Sequence, residues 1–447
     1  MRGFLLCGIL PFRGDEVRFW MRRYTDDLQQ VRKGGSTVKE KKKLDLAALA
    51  SIPLIMTLAN SMLIPVLPLM QRKLGVTSVQ ISLIITIYAA VSIVCIPVAG
   101  YLSDRFGRKL VIIISMSIVA VGGLVSGWAA WRMDHGAAYT VILVGRLIQG
   151  MGAAGAFPIV MPLVGDMFDS EEEVSSGLGM IETSNTFGKV VSPILGSALA
   201  LIVWFLPLAV IPLICLFSIV AVAICVKKPK GQQQNPISLK QFVLDIRKIL
   251  SEKGRWLYAI FAIGGIAMYV LFGFLYFLSS VLEEKHGIEG IWKGVLLAIP
   301  LSAICLASLL TGKLVGENKQ KMKWFTVAGS TIATASMAVS AFIHSGSLAL
   351  LIVLLSVGGA GIGFILPSLD ALITEGIDKK QRGTITSLYS SMRFIGVAAG
   401  PLVTSLLIKN QILLFYIFAG VGLACCVIAL FAIRPSKMET KPSLKAS

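Results

Sequence analysis

The chain has 447 residues, of which 55% are hydrophobic and only 15% charged. Water-soluble domains carry about a quarter charged residues, so this composition excludes a soluble enzyme, a disordered chain and a disulfide scaffold, and indicates a polytopic helical membrane protein. The net charge of +18 sits in short clusters between long uncharged runs, which reads as a topology signal and not as nucleic-acid binding.

Residues 1–45 form a polar tail of mixed charge. Its apolar stretch FLLCGIL is too short to span a bilayer and lacks a small-residue cleavage site, so a cytoplasmic tail is expected. Beyond it, a hydrocarbon core of about 30 Å calls for roughly 20 helical residues per span. Uncharged runs of that order predict twelve helices over 46–70, 79–101, 110–131, 138–164, 176–200, 204–226, 257–282, 294–312, 324–343, 347–369, 383–408 and 412–433. The fifth and sixth share one uncharged run and separate only if the turn near 201–204 is tight. The polar segment 227–256 divides the chain into six-helix halves, 46–226 and 257–433, with a tail over 434–447. Ile237, Phe242, Val243, Ile246 and Ile249 in that segment predict a short interfacial helix. Six of the seven cysteines lie inside apolar runs, where they serve as small apolar residues.

With the N-terminus inside, 33 of the 42 Lys and Arg fall in cytoplasmic segments. Six are external: Arg72, Lys73, Arg132, Lys285, Lys293 and Lys409. That imbalance predicts cytoplasmic termini. The halves also repeat spaced features. Gly100-x-Leu102 recurs as Gly312-x-Leu314. Gly152 and Pro158 recur as Gly361 and Pro367. Gly188-x3-Ser192-Pro193 recurs as Gly396-x3-Gly400-Pro401. The offsets of 212, 209 and 208 residues imply a duplicated bundle around a central cavity, suited to alternating access by rocking.

The second interhelical loop reads Gly100-Tyr-Leu102-Ser-Asp104-Arg105-Phe-Gly107-Arg108-Lys109. Its spacing is more specific than a topogenic loop requires. It resembles the signature loop of the major facilitator superfamily, G-x-L-x-D-R-x-G-R-K, and the resemblance extends over residues 46–433. It implies that Asp104 and Arg108 belong to a charge network latching the halves in the outward-open state. The corresponding Gly312–Lys319 loop lacks the Asp-Arg pair, with Glu317 beside that position.

Arg146 lies within a span, so it must face the bundle interior and find partners. Either it is a buried cation bonded to carbonyls or it takes part in coupling. With Gln149, Gly150 and Gly152 it resembles the family motif R-x-x-Q-G-x-G, which implies a link to proton transfer. Gly150, Gly152 and Gly155 also match a dinucleotide fingerprint, but no strand precedes them, and helix packing is the better reading. Span five carries Gly179, Gly188, Ser192, Pro193 and Gly196, which resembles the antiporter motif G-x8-G-x3-G-P-x-x-G-G with Ser192 and Ser197 replacing glycines.

Glu182 and Lys189 are seven residues apart on one face of span five. Glu182 is the acidic residue expected inside a span, either as a proton carrier or as a partner of Lys189. Asp370, near the inner end of span ten, is a second and more exposed candidate. Asn60 occupies a mid-depth position where the resemblance implies an acid in many drug exporters, which turns attention to Glu182. Asn60, Gln149, Asn185, Lys189, Tyr269, Tyr389 and Arg393 are candidates for the substrate cavity. Three intramembrane cations (Arg146, Lys189 and Arg393) suit an anionic or catecholate-like substrate.

The resemblance is to drug:proton antiporters of the family, including Gram-positive multidrug exporters and bacillibactin-type siderophore exporters. It implies a monomeric proton-coupled exporter of small amphipathic molecules, drugs or a siderophore, in the bacterial plasma membrane. No cofactor, metal or nucleic acid is expected; the drive is the proton gradient. The alternative is a proton-coupled importer of a small metabolite.

Overall fold

The computed structural model describes residues 44–167, 171–226, 239–316, 318–342, 347–377 and 379–434. Most of the N-terminal tail, Glu317 and the C-terminal tail beyond Arg434 lie outside them. Twelve helices are long and apolar enough to cross a membrane, and no strand occurs among the described residues. They are α1 (Leu44–Leu74), α2 (Ser78–Phe106), α3 (Arg108–Arg132), α4 (Gly136–Met167), α5 (Gly177–Ile202), α6 (Leu206–Cys225), α7 (Gly254–Glu284), α8 (Gly290–Val315), α9 (Lys319–Phe342), α10 (Leu348–Gly376), α11 (Gly383–Leu407) and α12 (Gln411–Ala432).

Local chemistry sets several boundaries. Pro65 and Pro68 interrupt α1 with a single 3-10 turn at Ile64–Val66. Gly75, at φ 65°, ends that helix. Thr77 and Gln80 close a capping box at the start of α2. Gly107, at φ 94°, makes the one-residue corner between α2 and α3. The α5–α6 turn is the tight one anticipated, with only Val203, Trp204 and Phe205 between the helices. The interfacial helix is not a separate element. The helix of α7 begins at Leu239 and runs unbroken to Glu284, because nothing between the two stretches forbids helix.

α1 and α7 are the most enclosed spans, 83% and 78% buried over their apolar windows. In each half α3 packs on α4 and α9 on α10. The two halves meet chiefly through α2 against α11 and α5 against α8. The duplication is physical. A Cβ at Gly152 would meet the Ser115 carbonyl of α3 at 2.5 Å, and one at Gly361 the Gly329 carbonyl of α9 at 2.5 Å. Gly188 packs on α1 and Gly396 on α7. Such small residues let backbones approach where lipid offers no hydrophobic drive.

With an even number of spans, the described termini lie at one end of the bundle, termed the near end. The α1–α2, α5–α6 and α7–α8 connections lie at the far end. One expectation fails there. Lys293 is not in a connecting loop: α8 starts at Gly290, and Lys293 is only 2% exposed within it. Four aromatics of α7 turn inward. Phe274, Tyr276 and Phe277 are buried in the core and Phe272 lines a cavity, so none of these four is left facing lipid.

Candidate functional site

A cavity lies between the halves, walled by α1, α2, α4 and α5 on one side and α7 and α11 on the other. Its polar lining includes Thr57, Asn60, Ser61, Asn185, Lys189, Ser390 and Arg393. Its apolar lining includes Met56, Phe157, Met268, Phe272 and Phe394. The cavity therefore joins flat aromatic and thioether surface to two cations from opposite halves.

Those cations are held differently. Arg393 pairs with Asp370 of α10 at 3.7 Å and stands 5.5 Å from the centre of the Tyr389 ring. The Lys189 ammonium has no ion pair or hydrogen bond among the described residues, although Glu182, Asp370 and Arg393 lie within electrostatic reach. Glu182 and Lys189 thus share a face without forming the fixed pair that was one alternative. The Glu182 carboxylate instead accepts from Asn185 Nδ2 at 3.2 Å, and the Thr57 hydroxyl donates to Asn185 Oδ1 at 2.6 Å. Asp370 is only 31% exposed at its side chain and feels Arg393, Glu182 and Lys189. The structure so assembles two carboxylates and two cations from α5, α10 and α11 beside one cavity.

Arg146 is fully buried. Its guanidinium donates to Ile84 O at 2.9 Å, Ala59 O at 3.4 Å, Gln149 Oε1 at 2.6 Å and Asn60 Oδ1 at 2.8 Å. It also stacks over Tyr88 at 4.4 Å from the ring centre. Among the described residues its partners are neutral, and it does not line the cavity. Its fork ties α4 to α1 and α2 and fixes the Asn60 side chain at the cavity wall.

Three cavity candidates stand outside this lining. Gln149 is fully buried against Arg146. Tyr269 packs edge-on against Phe418 of α12, at 5.5 Å between ring centres. Tyr389 is 1% exposed and stacks on Phe261, so it supports Arg393 from behind. The sequence could not decide these cases because neighbouring helical positions differ in facing by about 100°. Asn60, Asn185, Lys189 and Arg393 line the cavity. Tyr88 and Met268 also line it, and period alone carried no signal for them.

The signature loop is a brace of the first half. Arg108 pairs with Asp166 of α4 at 2.5 Å and with Asp104 at 3.8 Å, and also donates to the Pro162 carbonyl. Lys109 donates to Ala223 O at 2.9 Å and Val226 O at 2.5 Å, tying α3 to α6. Arg105 reaches only Tyr101, at 3.3 Å, and the Phe106 ring. Across the halves, Gly100 faces Ser387 of α11. Gly312, its counterpart, has nothing near it.

In α5 the antiporter-type residues are unequal. Gly196 lies against the Met62 carbonyl at the break in α1, and Gly188 against Leu54 and Thr57. Ser192 is fully buried and Pro193 presents its carbonyl to Gly294 of α8. Gly179 is exposed with no neighbour for a Cβ, so it makes no close approach.

The far end is sealed by polar contacts that the sequence did not reveal. Glu283 of α7 lies 2.5 Å from Arg72 of α1 and 2.5 Å from Lys293 of α8. Arg72 also pairs with Glu289 at 2.7 Å. Tyr276 donates to Ser78 O at 3.1 Å and Ser279 to Ile64 O at 2.9 Å.

Comparison with known proteins agrees with this architecture. The family model described as Major Facilitator Superfamily matches residues 49–401 and 338–446. The chain is 48% identical over 402 residues to a bacillibactin exporter of Bacillus subtilis (strain 168), covering 90% of this chain and 99% of that relative. It is 23% identical over 400 residues to multidrug resistance protein 2 of the same organism, covering 86% and 93%. Among solved structures it is similar in fold to the human organic anion transporter MFSD10 (TETRAN), with a TM-score of 0.67, 17% identity, and 87% and 99% of the two chains covered. Twelve membrane-length helices in duplicated halves around a cavity, with a filled signature loop, complete the argument: the chain belongs to the Major Facilitator Superfamily and is a membrane transporter, not an enzyme.

Proposed function

We propose that the protein is a proton-coupled antiporter of the bacterial plasma membrane that exports small amphipathic anions, a siderophore of the catecholate kind foremost, with both termini in the cytoplasm. The observation that carries this reading is the placement of Glu182 and Asp370 with Lys189 and Arg393 beside one inter-half cavity. Opposite charges there are close enough to respond to each other. Protonation of either carboxylate changes the field that acts on a charged substrate. Protons and substrate are therefore linked through one cluster. The uncommitted Lys189 ammonium and the aromatic wall of Phe157, Phe272 and Phe394 suit an aromatic anion. The 48% identical bacillibactin exporter supports export and a siderophore; the drug-exporter relative supports polyspecificity.

Substrate-induced proton flux in everted vesicles tests the reading, with a catecholate siderophore, a cationic dye and a fluoroquinolone in turn. Flux with the siderophore that is lost in Glu182→Gln or Asp370→Asn is the expected result. Lys189→Gln is expected to raise the siderophore concentration needed for half-maximal flux by about tenfold, the scale of one partly desolvated ionic contact, and to leave the dye unaffected. Absence of flux with every compound in correctly inserted protein would overturn the antiporter reading in favour of import.

A further inference from the structure

We propose that Asn185 is a specificity-determining positioning residue: it holds the Glu182 carboxylate away from Lys189 and so leaves that ammonium to the anionic group of the substrate. The proposal deepens the reading of the cavity as an anion site and rests on it. Glu182, Asn185 and Lys189 stand at three- and four-residue steps along one face of α5. Helical side chains lean toward the N-terminus, so Lys189 is directed along that face toward Glu182, about 10 Å away along the axis. Of its charged neighbours, Glu182 acts on it most strongly. Opposite charges so placed, away from bulk water, attract strongly. A Glu182–Lys189 pair is the default outcome of this spacing, and it is not what forms.

Asn185 intervenes. Its Nδ2 donates to both Glu182 oxygens, at 3.2 Å and 3.4 Å. Its Oδ1 accepts from the Thr57 hydroxyl of α1 at 2.6 Å, so the amide is fixed from both ends. Asn185 is only 4% exposed, and turning it would leave buried polar groups without partners. Close packing supplies the distance. A Cβ at Gly188 would lie 3.3 Å from the Thr57 Cβ, and the Ser184 hydroxyl donates to the Ala50 carbonyl of α1 at 2.7 Å. The clamp needs α5 tight against α1, and Gly188 permits that approach.

The result is an ammonium kept available. The second carboxylate within its reach, Asp370, is paired with Arg393 at 3.7 Å. Glu182 and Asp370 are thus engaged elsewhere, and Lys189 lines the cavity with no ion pair among the described residues. Thr57, Asn185 and Glu182 belong to the same half as Lys189, so the clamp travels with it when the halves rock. Asp370 and Arg393 belong to the other half. An arriving carboxylate or catecholate oxygen therefore finds a preorganised cation and has no internal partner to displace. Without the clamp the substrate competes with Glu182 for Lys189, and anions lose what cations gain.

Lys189 reports on the clamp without any substrate. The full chain in detergent is treated with the neutral N-hydroxysuccinimide ester of acetic acid at about pH 8, where an ordinary carboxylate is ionised. Acetylation of Lys189 is timed by mass spectrometry, and binding of salicylate, an aromatic anion, and of ethidium, an aromatic cation, is measured in parallel. Asn185→Ala is expected to slow the acetylation several-fold, because a paired ammonium gives up its proton less readily. It is also expected to weaken salicylate binding about tenfold and to tighten ethidium binding. Adding Glu182→Gln to Asn185→Ala is expected to return both the rate and the salicylate affinity toward wild type, which a merely structural loss would not allow. Thr57→Val keeps the side-chain shape and removes the hydroxyl. It is expected to shift both readouts in the same direction, and it decides the matter if Asn185→Ala does not fold. Unchanged acetylation in Asn185→Ala, or in Thr57→Val where that variant decides, overturns the proposal. So does a loss of salicylate binding that Glu182→Gln fails to rescue. Acetylation as expected, with salicylate bound equally by wild type and Lys189→Gln, would uphold the clamp on Glu182 and overturn the anion reading of the cavity instead.

Discussion

Arg146 shows how one residue can organise a site without lining it. Its fork satisfies Asn60 and Gln149 and two backbone carbonyls at once, which a point charge on a flexible stem cannot reproduce. Removing it strands buried acceptors, at about 1–3 kcal/mol each. Arg146→Met is therefore expected to lower the melting temperature of detergent-purified protein by several degrees, with Arg146→Lys intermediate. Asn60→Asp keeps the acceptor 2.8 Å from the guanidinium and adds a charge partner. It is expected to melt at or above wild type. A melt of Arg146→Met equal to wild type would show that the network carries no stability. The presence of a buried Arg was readable from its position in an apolar run. Its partners were not, because they come from three helices.

At the scale of elements, the glycines separate by what stands opposite them. Alanine favours helix over glycine by about 1 kcal/mol, whereas a methyl forced into a packed backbone costs about 1–3 kcal/mol. Gly196 and Gly361 face carbonyls of neighbouring helices, so Gly196→Ala and Gly361→Ala are expected to destabilise. Gly179 and Gly312 face nothing within contact, so the same change there is expected to be neutral or mildly stabilising. Thermal scanning of the four variants checks the order, and a destabilised Gly179→Ala would contradict the open surroundings of that residue. The span-five motif was legible as a string, but the string weighted Gly179 and Gly196 equally. Contact with the broken α1, whose Pro65 was visible in sequence, is what distinguishes them.

At the scale of the whole molecule, the positive charge of the connecting segments predicts which end faces the cytoplasm. Single-cysteine variants of a cysteine-free background check it in intact cells with a membrane-impermeant maleimide. Cysteine at Asp134 or His286, both exposed at the far end, is expected to react from outside. Cysteine at Arg105 is expected to react only after permeabilisation. The opposite pattern would invert the proposed transport direction and move the Glu283 seal to the inside.

The sequence by itself determined the span count, the duplicated halves and the family, because span length is set by bilayer thickness and the signature loop is a local string. It also located Glu182, Asp370, Lys189 and Arg393 as charges too costly to leave in lipid. The tertiary structure alone decided which of them share a cavity, that Tyr269, Tyr389 and Gln149 stand outside it, and that Glu283, Lys293 and Arg72 meet. Those three are written as helix-end and loop charges, and only the approach of α1 to α7 and α8 converts them into a buried cluster. Charge in a membrane protein is legible along the chain, but its pairing depends on which helices touch, and that is settled by side-chain packing between segments about 200 residues apart.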